Sequence, residues 1–486
     1  MTVPAARVRI ANEAPTRPSR DYVLYWMVGA RRANMNFALD RALSIAGSLG
    51  KPVLVFEPLR AGHRWASDRI HGFVVDGMRD NERAFAAAGV TYFPYLEPEP
   101  GADKGLLAAL AHHACAVVTD DALGFFQPRM IASAAAALDV TLEVVDGNGL
   151  MPIRVVDKAY PSAAHFRRLQ QRELPKHLLE LPRRDPLRAV HGAPAVVPST
   201  VRGRWPAADL ASAAPWSALA IDHGVAPSSS STLRGGSSAA RAALRAFLEH
   251  KLERYGADRS QPDLATHSGL SPWLHFGHIG AHEVFAAVAR REQWSPDRCG
   301  HVVTGNKAGF FGMSENAEAF LDELVTWREL AHNGAAFLHG FETYDANPAW
   351  SRASLQRHAH DEREHSYSLA ALEAADTHDA LWNAAQRQLV HEGVIHNYLR
   401  MLWGKKVLEW SASPEQAFAH LVQLNNKYAL DGRDPNSYAG ISWCFGRYDR
   451  PWPERAIFGV VRCMTSASTM KKLALTHYLS TWRTPA

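Results

Sequence analysis

The chain has 486 residues, 47% of them hydrophobic, with a net charge of +4 and a mean hydropathy of -0.22; this leaves room for two or more domains with full cores and excludes a largely disordered protein. No stretch of about 18 apolar residues occurs, and residues 1–20, with Pro4, Pro15 and Pro18, lack the apolar centre of a signal peptide, so the expectation is a cytoplasmic protein without a membrane span. Cys115, Cys299, Cys444 and Cys463 are scattered with no CxxC pair, which argues against a zinc finger or a disulfide framework. Past the Pro-rich lead, residues 21–27 (DYVLYWM) read as a buried strand, followed by a helical pattern over 34–49 and a strand over 52–56. The alternation continues with helix 67–88, strand 91–96, helix 104–113, strand 116–120, helix 127–138 and strand 141–145. Five strands alternating with helices predict an α/β doubly wound parallel five-stranded sheet. The turn VGARR at 28–32 is not GxGxxG, so no standard dinucleotide site is expected there, and Arg31 and Arg32 read as exposed turn charges.

From about residue 148 the rhythm is lost, and repeated prolines precede a Ser-rich run at 228–232. This predicts a long interdomain connection wrapped on the surface. From residue 237 the pattern is almost wholly helical, with Ser237 as a candidate cap. The expected division is an extension over 1–20, an α/β domain over 21–150, a linker over 151–236 and an all-α domain over 237–486. Ser268, Leu270 and Ser271 precede Pro272 at a helix start, where hydroxyls and free N–H groups suit a diphosphate; plain capping is the commoner use. In FLDELVTWREL at 320–330, Glu323 and Trp327 stand at i and i+4 on one helix face, either a carboxyl set beside an indole for chemistry or an ordinary amphipathic pair.

The richest stretch runs from 381 to 443 and contains Trp382, Trp403, Trp410 and Trp443. Trp403 and Trp410 recur on the apolar face of one helix, about 10 Å apart. His396, Asn397 and Arg400 interrupt that helix, and a buried guanidinium needs a partner; Asp431, in the turn DGRDPN that also holds Arg433, is the candidate acid. His391 and His396 are five apart rather than four, and the 431–436 turn lacks the spaced acids of a calcium loop, so no metal is expected. Residues 441–486 carry seven Lys or Arg against two acids, interleaved with Trp443, Phe445, Tyr448, Trp452 and Phe458. Such a mixture suits phosphates beside stacked bases; a solvated basic face is the plain alternative.

Three segments, LWNAAQ at 381–386, LRM at 399–401 with WGKKVLEW at 403–410, and LNNKYALDGRDPN at 424–436, resemble the photolyase and cryptochrome flavoprotein family, most closely the class II cyclobutane pyrimidine dimer photolyases. The resemblance implies FAD in the helical domain, with Tyr255, Ser268, Leu270 and Ser271 about its phosphates and ribityl chain. It also implies an Arg400 to Asp431 ion pair against the flavin ring, with Asn397 and Arg433 close by and Asn425 near N5, favouring the reduced state. For a cyclobutane dimer in UV-damaged DNA, the pattern maps onto Glu323, protonated, at a pyrimidine carbonyl, Trp327 and Trp443 as aromatic walls, and Met401 beneath. Trp382, Trp403 and Trp410 match tryptophans that relay electrons to the flavin, although each is also an ordinary core residue. An antenna chromophore such as a deazaflavin is the companion expected in the more divergent α/β half, and the protein is expected to act as a monomer. His267, Trp273, Asn397 and Leu402 depart from the usual residues of the class, and residues 299–316 look like an insertion. A cryptochrome-like photoreceptor is the alternative, and a non-catalytic nucleic-acid-binding helical module the third reading.

Overall fold

A computed structural model describes residues 3–483; Met1, Thr2 and residues 484–486, at the outer ends of the extension and of the basic tail, lie outside the described residues. Strands β1 (Val8–Ile10), β2 (Tyr22–Trp26), β3 (Val53–Leu59), β4 (Thr91–Leu96), β5 (Ala114–Asp120) and β6 (Leu142–Val145) form one sheet in the order β1-β6-β5-β2-β3-β4. The pairs among β2 to β6 are parallel. β1 runs antiparallel to β6, with Val8 opposite Val145. The sheet therefore has six strands rather than the expected five; a three-residue edge strand is too short to register as an apolar run. Helices α1 (Phe37–Leu49), α2 (Asp68–Ala87), α3 (Leu106–Ala111) and α4 (Gln127–Ala137) make the crossovers. Covered on both faces, β2, β3, β5 and β6 bury every residue, which is why they read as unbroken apolar runs.

Residues 151–236 carry structure of their own. Helix α5 (Ala163–Glu173) sinks Phe166 and Leu169 into the helical core with Leu174 and Leu178, and Leu210, Trp216 and Leu219 pack on Val74, Val75 and Met78 of α2. Beyond them come α6 (Ser237–His250), α7 (Ala281–Arg291), α8 (Arg328–Phe337), α9 (Ala380–Glu392), α10 (Asn397–Trp410), α11 (Pro414–Tyr428) and α12 (Pro435–Cys444). α10 packs on α9, α11 and α12, and α12 packs on α8. Ser237 is the first residue of α6 rather than its cap: Gly236 takes the cap position at φ 95°, and the Ser237 hydroxyl donates to the His278 carbonyl at 2.7 Å.

Arginines tie the two halves together. Arg69 of α2 donates to the carbonyls of Ala226, Leu389, Val390 and Tyr428, and Arg32 donates to that of Gly277 at 2.9 Å. The expectation of exposed charges at Arg31 and Arg32 is overturned: Arg32 is buried, and Arg31 pairs with buried Glu57 at 2.9 Å. No described helix is long and apolar enough to cross a membrane, the four cysteines are free thiols, and among the described residues no His, Cys, Asp or Glu cluster could hold a metal ion.

Candidate functional site

The tight turn from α11 to α12 organises the first part of the site. A Cβ on Gly432 would stand 2.7 Å from the Asn425 carbonyl oxygen, so only glycine lets the chain fold back this closely. The turn delivers Asp431 to Arg400 of α10, whose Nη2 donates to both carboxylate oxygens at 3.0 and 3.2 Å. Ser271 Oγ donates to the same carboxylate at 2.7 Å. Arg400 thus has the acid sought for it, and Ser271, in a five-residue helix with Pro272 second, binds that acid instead of capping.

Asn425 is buried; its Nδ2 donates to Ser437 Oγ and to Asn426 Oδ1, which leaves the amide oxygen as the free end. Arg433, at φ 70°, turns inward and donates to the carbonyls of Asn426, Ala429 and Leu430, closing the end of α11. Burial lowers its pKa to about 10. Asn397 is the first residue of α10, exposed behind His396. The His396 ring meets that of His267 edge-on at 5.4 Å, and its Nδ1 is buried without a partner. Tyr255 packs in an aromatic cluster, 5.7 Å from Phe247 and 5.5 Å from Phe320, where burial pushes its phenol up to about 12. Leu270 is buried, and Ser268 Oγ accepts from its amide at 3.5 Å.

Glu323 and Trp327 lie in one π-helical segment, Asp322–Trp327. Their sequence spacing puts them on one face in an α- or a π-helix alike, so the wider winding is invisible in the sequence; such segments recur at functional sites. Rather than an isolated buried acid, Glu323 is half-buried and ion-paired with Arg259. Burial works against the Arg259 charge, but the Glu323 carboxylate outweighs it and raises the pKa. These partners are 64 residues apart, and no sequence spacing announces them. The neighbouring Asp322 holds Arg167 by two bonds of 2.7 and 2.8 Å, which sets that guanidinium 6.0 Å over the Trp327 ring. Met401 Cε lies 3.6 Å from where a Cβ on Gly440 would stand, one turn before Trp443 on α12. Lys405, one turn after Met401 on α10, stands 5.0 Å from the Trp443 ring. A lysine recurring at the spacing of an apolar face was the signal that could have marked it.

Trp382, Trp403 and Trp410 form one line. The rings of Trp403 and Trp382 lie 6.4 Å apart and nearly parallel, and Trp410 meets Trp382 at 5.5 Å. The Trp382 indole donates to the Trp403 carbonyl at 3.0 Å, and the Trp403 indole to Gln386 Oε1 at 2.9 Å.

In the α/β half, the amides of Val28, Gly29 and Ala30 at the carboxyl end of β2 converge as in an anion-binding nest. Asp120 fills it, accepting all three at 2.8 to 3.0 Å. Beside it a cleft between the halves is lined by Arg60, His63, Phe125, Phe126, Arg328 and His332.

No protein-family model matches the chain. Its sequence is 33% identical over 480 residues to the deoxyribodipyrimidine photo-lyase of Methanothermobacter thermautotrophicus, covering 98% of this chain and 97% of the relative. To the rice (Oryza sativa) protein of the same name it is 32% identical, covering 98% and 90%. Its fold is similar to the crystal structure of a class III photolyase from Agrobacterium tumefaciens, with a TM-score of 0.69 at 17% identity over 96% of this chain and 86% of that one. An α/β sheet followed by a helical domain, the Arg400–Asp431 pair and full-length relatives agree: the chain belongs to the photolyase and cryptochrome family.

Proposed function

We infer that the protein is a light-driven DNA-repair lyase that holds reduced FAD among α10, the α11–α12 turn and residues 268–271, and splits cyclobutane pyrimidine dimers. Kinship over the whole chain with enzymes named deoxyribodipyrimidine photo-lyase supports the reaction. The observation that carries the cofactor reading is the Arg400–Asp431–Ser271 cluster, which joins three separate segments at one half-buried point. Its donor set fits a flavin: a guanidinium and carboxylate for the polar ring edge, hydroxyls for the ribityl and phosphate chain, and the free Asn425 oxygen as acceptor for the N–H that only a reduced ring presents at N5. Reduced FAD, when bound, supplies under light the electron that opens the cyclobutane ring and takes it back, with no net redox change.

The chain's own residues bind, orient and exclude water. The dimer leaves the duplex, which its poor pairing makes easier, and stacks between Trp327 and Trp443 over Met401, worth roughly 1–3 kcal/mol per base. Glu323 releases Arg259, takes up a proton and donates its O–H to a pyrimidine carbonyl. Arg450, Arg455, Lys471 and Lys472, all exposed, face the DNA phosphates. Trp403, Trp382 and Trp410, neighbours in series, would pass an electron inward to a bound flavin that had become oxidised. Residues 237–486 act as the catalytic domain and 21–150 as the antenna domain, joined by 151–236. With its nest filled by Asp120, the cleft beside β2 suits a chromophore without a phosphate, such as a deazaflavin. The enzyme works as a cytoplasmic monomer in this reading. A photoreceptor role has no observation of its own, since Glu323, Trp327, Met401 and Trp443 are all present.

The test is illumination of the prereduced protein with an oligonucleotide carrying one thymine dimer. Light-dependent restoration of the two thymines is expected, and Glu323→Ala should lower its yield at least tenfold while flavin content stays unchanged. No restoration despite bound reduced flavin would sink the repair reading.

A further inference from the structure

The relay tryptophans and Trp443 have different charged surroundings. Along the relay, the cation at the Trp410 ring is Lys406, 5.3 Å away. It pairs with Glu409 at 2.9 Å and lies 3.8 Å from Asp379, so its charge is neutralised on the spot. Trp443 has the opposite surroundings. Lys405 stands 5.0 Å from its ring and Arg462 5.6 Å, and among the described residues neither forms an ion pair. Lys405 is fully buried, and its ammonium donates to the Cys444 carbonyl at 2.7 Å. Arg462 leans also on the Trp452 ring at 4.8 Å. Burial lowers the Lys405 pKa to about 8, which keeps the ammonium charged at pH 7, and Asp449, the acid whose field reaches it, accepts from the Trp452 indole instead.

A cation over a neutral indole attracts its electron-rich face and holds the ring in place. Oxidation reverses the sign: an indole that loses an electron becomes positive, and a fully buried ammonium about 5 Å from the ring repels it with less screening than bulk water would give. The same two side chains therefore pin the neutral Trp443 and disfavour its oxidised form.

We propose that Lys405, with Arg462, is an electrostatic guard that keeps Trp443 out of electron transfer, reserving flavin photoreduction for the Trp403–Trp382–Trp410 line and keeping the lesion-side indole intact. The proposal rests on the reading of Trp443 as a lesion wall near a flavin. Without the guard, one electron would pass from the Trp443 indole to a light-excited oxidised flavin. The indole radical cation would lose its N–H proton to water, dioxygen would take up the transferred electron as superoxide, and the neutral indolyl radical would combine with that superoxide and a proton to give a hydroperoxide that opens to formylkynurenine. Lys405 is a positioning residue in this scheme: it touches the wall and not the lesion.

The experiment has one arm that needs no flavin. Full-length wild type, Lys405→Met and Lys405→Arg are exposed in air to radiolytic azide radicals, a one-electron oxidant, and formylkynurenine at Trp443 is quantified by peptide mass spectrometry, with Trp294, whose indole donates to the Phe311 carbonyl, as internal reference. Lys405→Met should raise the Trp443 yield at least fivefold, and Lys405→Arg, which keeps the charge, should match wild type. In the second arm, Trp382→Phe breaks the relay; adding Lys405→Met should raise its flavin photoreduction rate at least fivefold, and adding Trp443→Phe as well should remove that gain. Equal Trp443 yields in wild type and Lys405→Met, or an equal rise in Lys405→Arg, would overturn the guard, the latter by making it a matter of packing. Should Lys405→Met fail to fold, Arg462→Met tests the other cation in the same way, with a rise of at least twofold expected and no rise counting against the proposal. A purified protein without flavin or repair activity would defeat the functional reading while leaving the radical arm decisive.

Discussion

Trp382 stands between two indoles that the sequence places about 10 Å apart along one helix. It comes from α9 rather than α10 and fills that gap at 6.4 and 5.5 Å. The tryptophans themselves are plain in the sequence, but their order depends on how α9 packs against α10, which no spacing within one helix contains. Two of the three indoles also have a fixed N–H, Trp382 to the Trp403 carbonyl and Trp403 to Gln386, acceptors that favour a ring carrying positive charge. In the proposed relay Trp382 is the middle step, and its loss should hurt most. Trp382→Phe should slow flavin photoreduction by blue light in the presence of thiol at least tenfold, while repair by chemically prereduced enzyme stays at the wild-type level. Photoreduction at an unchanged rate would mean that electrons travel by another route.

Helix ends leave carbonyls without partners, and this chain meets two such ends with one side chain. α9 ends at Glu392 and α11 at Tyr428; Arg69, from α2 of the other half, donates to Leu389 at 3.2 Å, Val390 at 2.5 Å and Tyr428 at 2.9 Å. A buried cation at two helix C-termini is favoured by both dipoles. Arg69→Met keeps the bulk and removes every donor, and should destabilise the protein by about 3 kcal/mol, read as a lower urea midpoint; a loss under about 1 kcal/mol would show that water replaces the guanidinium. Elements with their own repeating pattern were legible in the sequence: β2 to β6 as apolar runs, the crossovers as helical patterns, and α10 from its apolar spacing. Those stabilised from elsewhere were not. β1 is held by β6, α5 is a short amphipathic helix inside a Pro-rich stretch, and the π-helical winding at Glu323 has no sequence mark. Arg259 and Arg69 are unremarkable arginines until the fold brings Glu323 and two helix ends to them.

The seam between the α/β and helical halves holds buried histidines from both sides. His278 rests on α2, where a Cβ on Gly77 would collide with its ring, His282 meets Phe37 of α1 edge-on at 5.1 Å, and His63 and His332 line the cleft between the halves. Burial lowers their pKa values from 6.5: His63, His278 and His332 to about 3, His71 to about 4, and His282 well below its ordinary range. The folded protein keeps these rings neutral while the unfolded chain takes up protons below pH 6.5, so their stabilisation is complete above that pH and lost as the pH falls toward 3 or 4. Each group loses about 1 kcal/mol over the first pH unit below 6.5, and five lose about 5 kcal/mol, comparable with the whole stability of an ordinary domain. Glu329 acts in the other direction. Burial raises its pKa from 4.5 to about 7, so the folded state holds a proton that the unfolded chain releases, and stability rises as the pH falls from about 7 to 4.5. Burial raises Asp40, Asp103, Asp121 and Glu342 in the same direction, and together with Glu329 these carboxyls offset part of the imidazole loss. The melting temperature should therefore be nearly flat from pH 8 to 7 and fall steeply below 6.5, with cooperative loss of near-UV circular dichroism near pH 5, above the range where ordinary carboxylates titrate. His282→Leu, which keeps an apolar contact with Phe37 and removes one of the protonation sites, should move that acid midpoint to lower pH. A midpoint below pH 4 in the unmodified protein, or one that His282→Leu leaves in place, would assign acid unfolding to carboxylates instead of to the histidines of the seam.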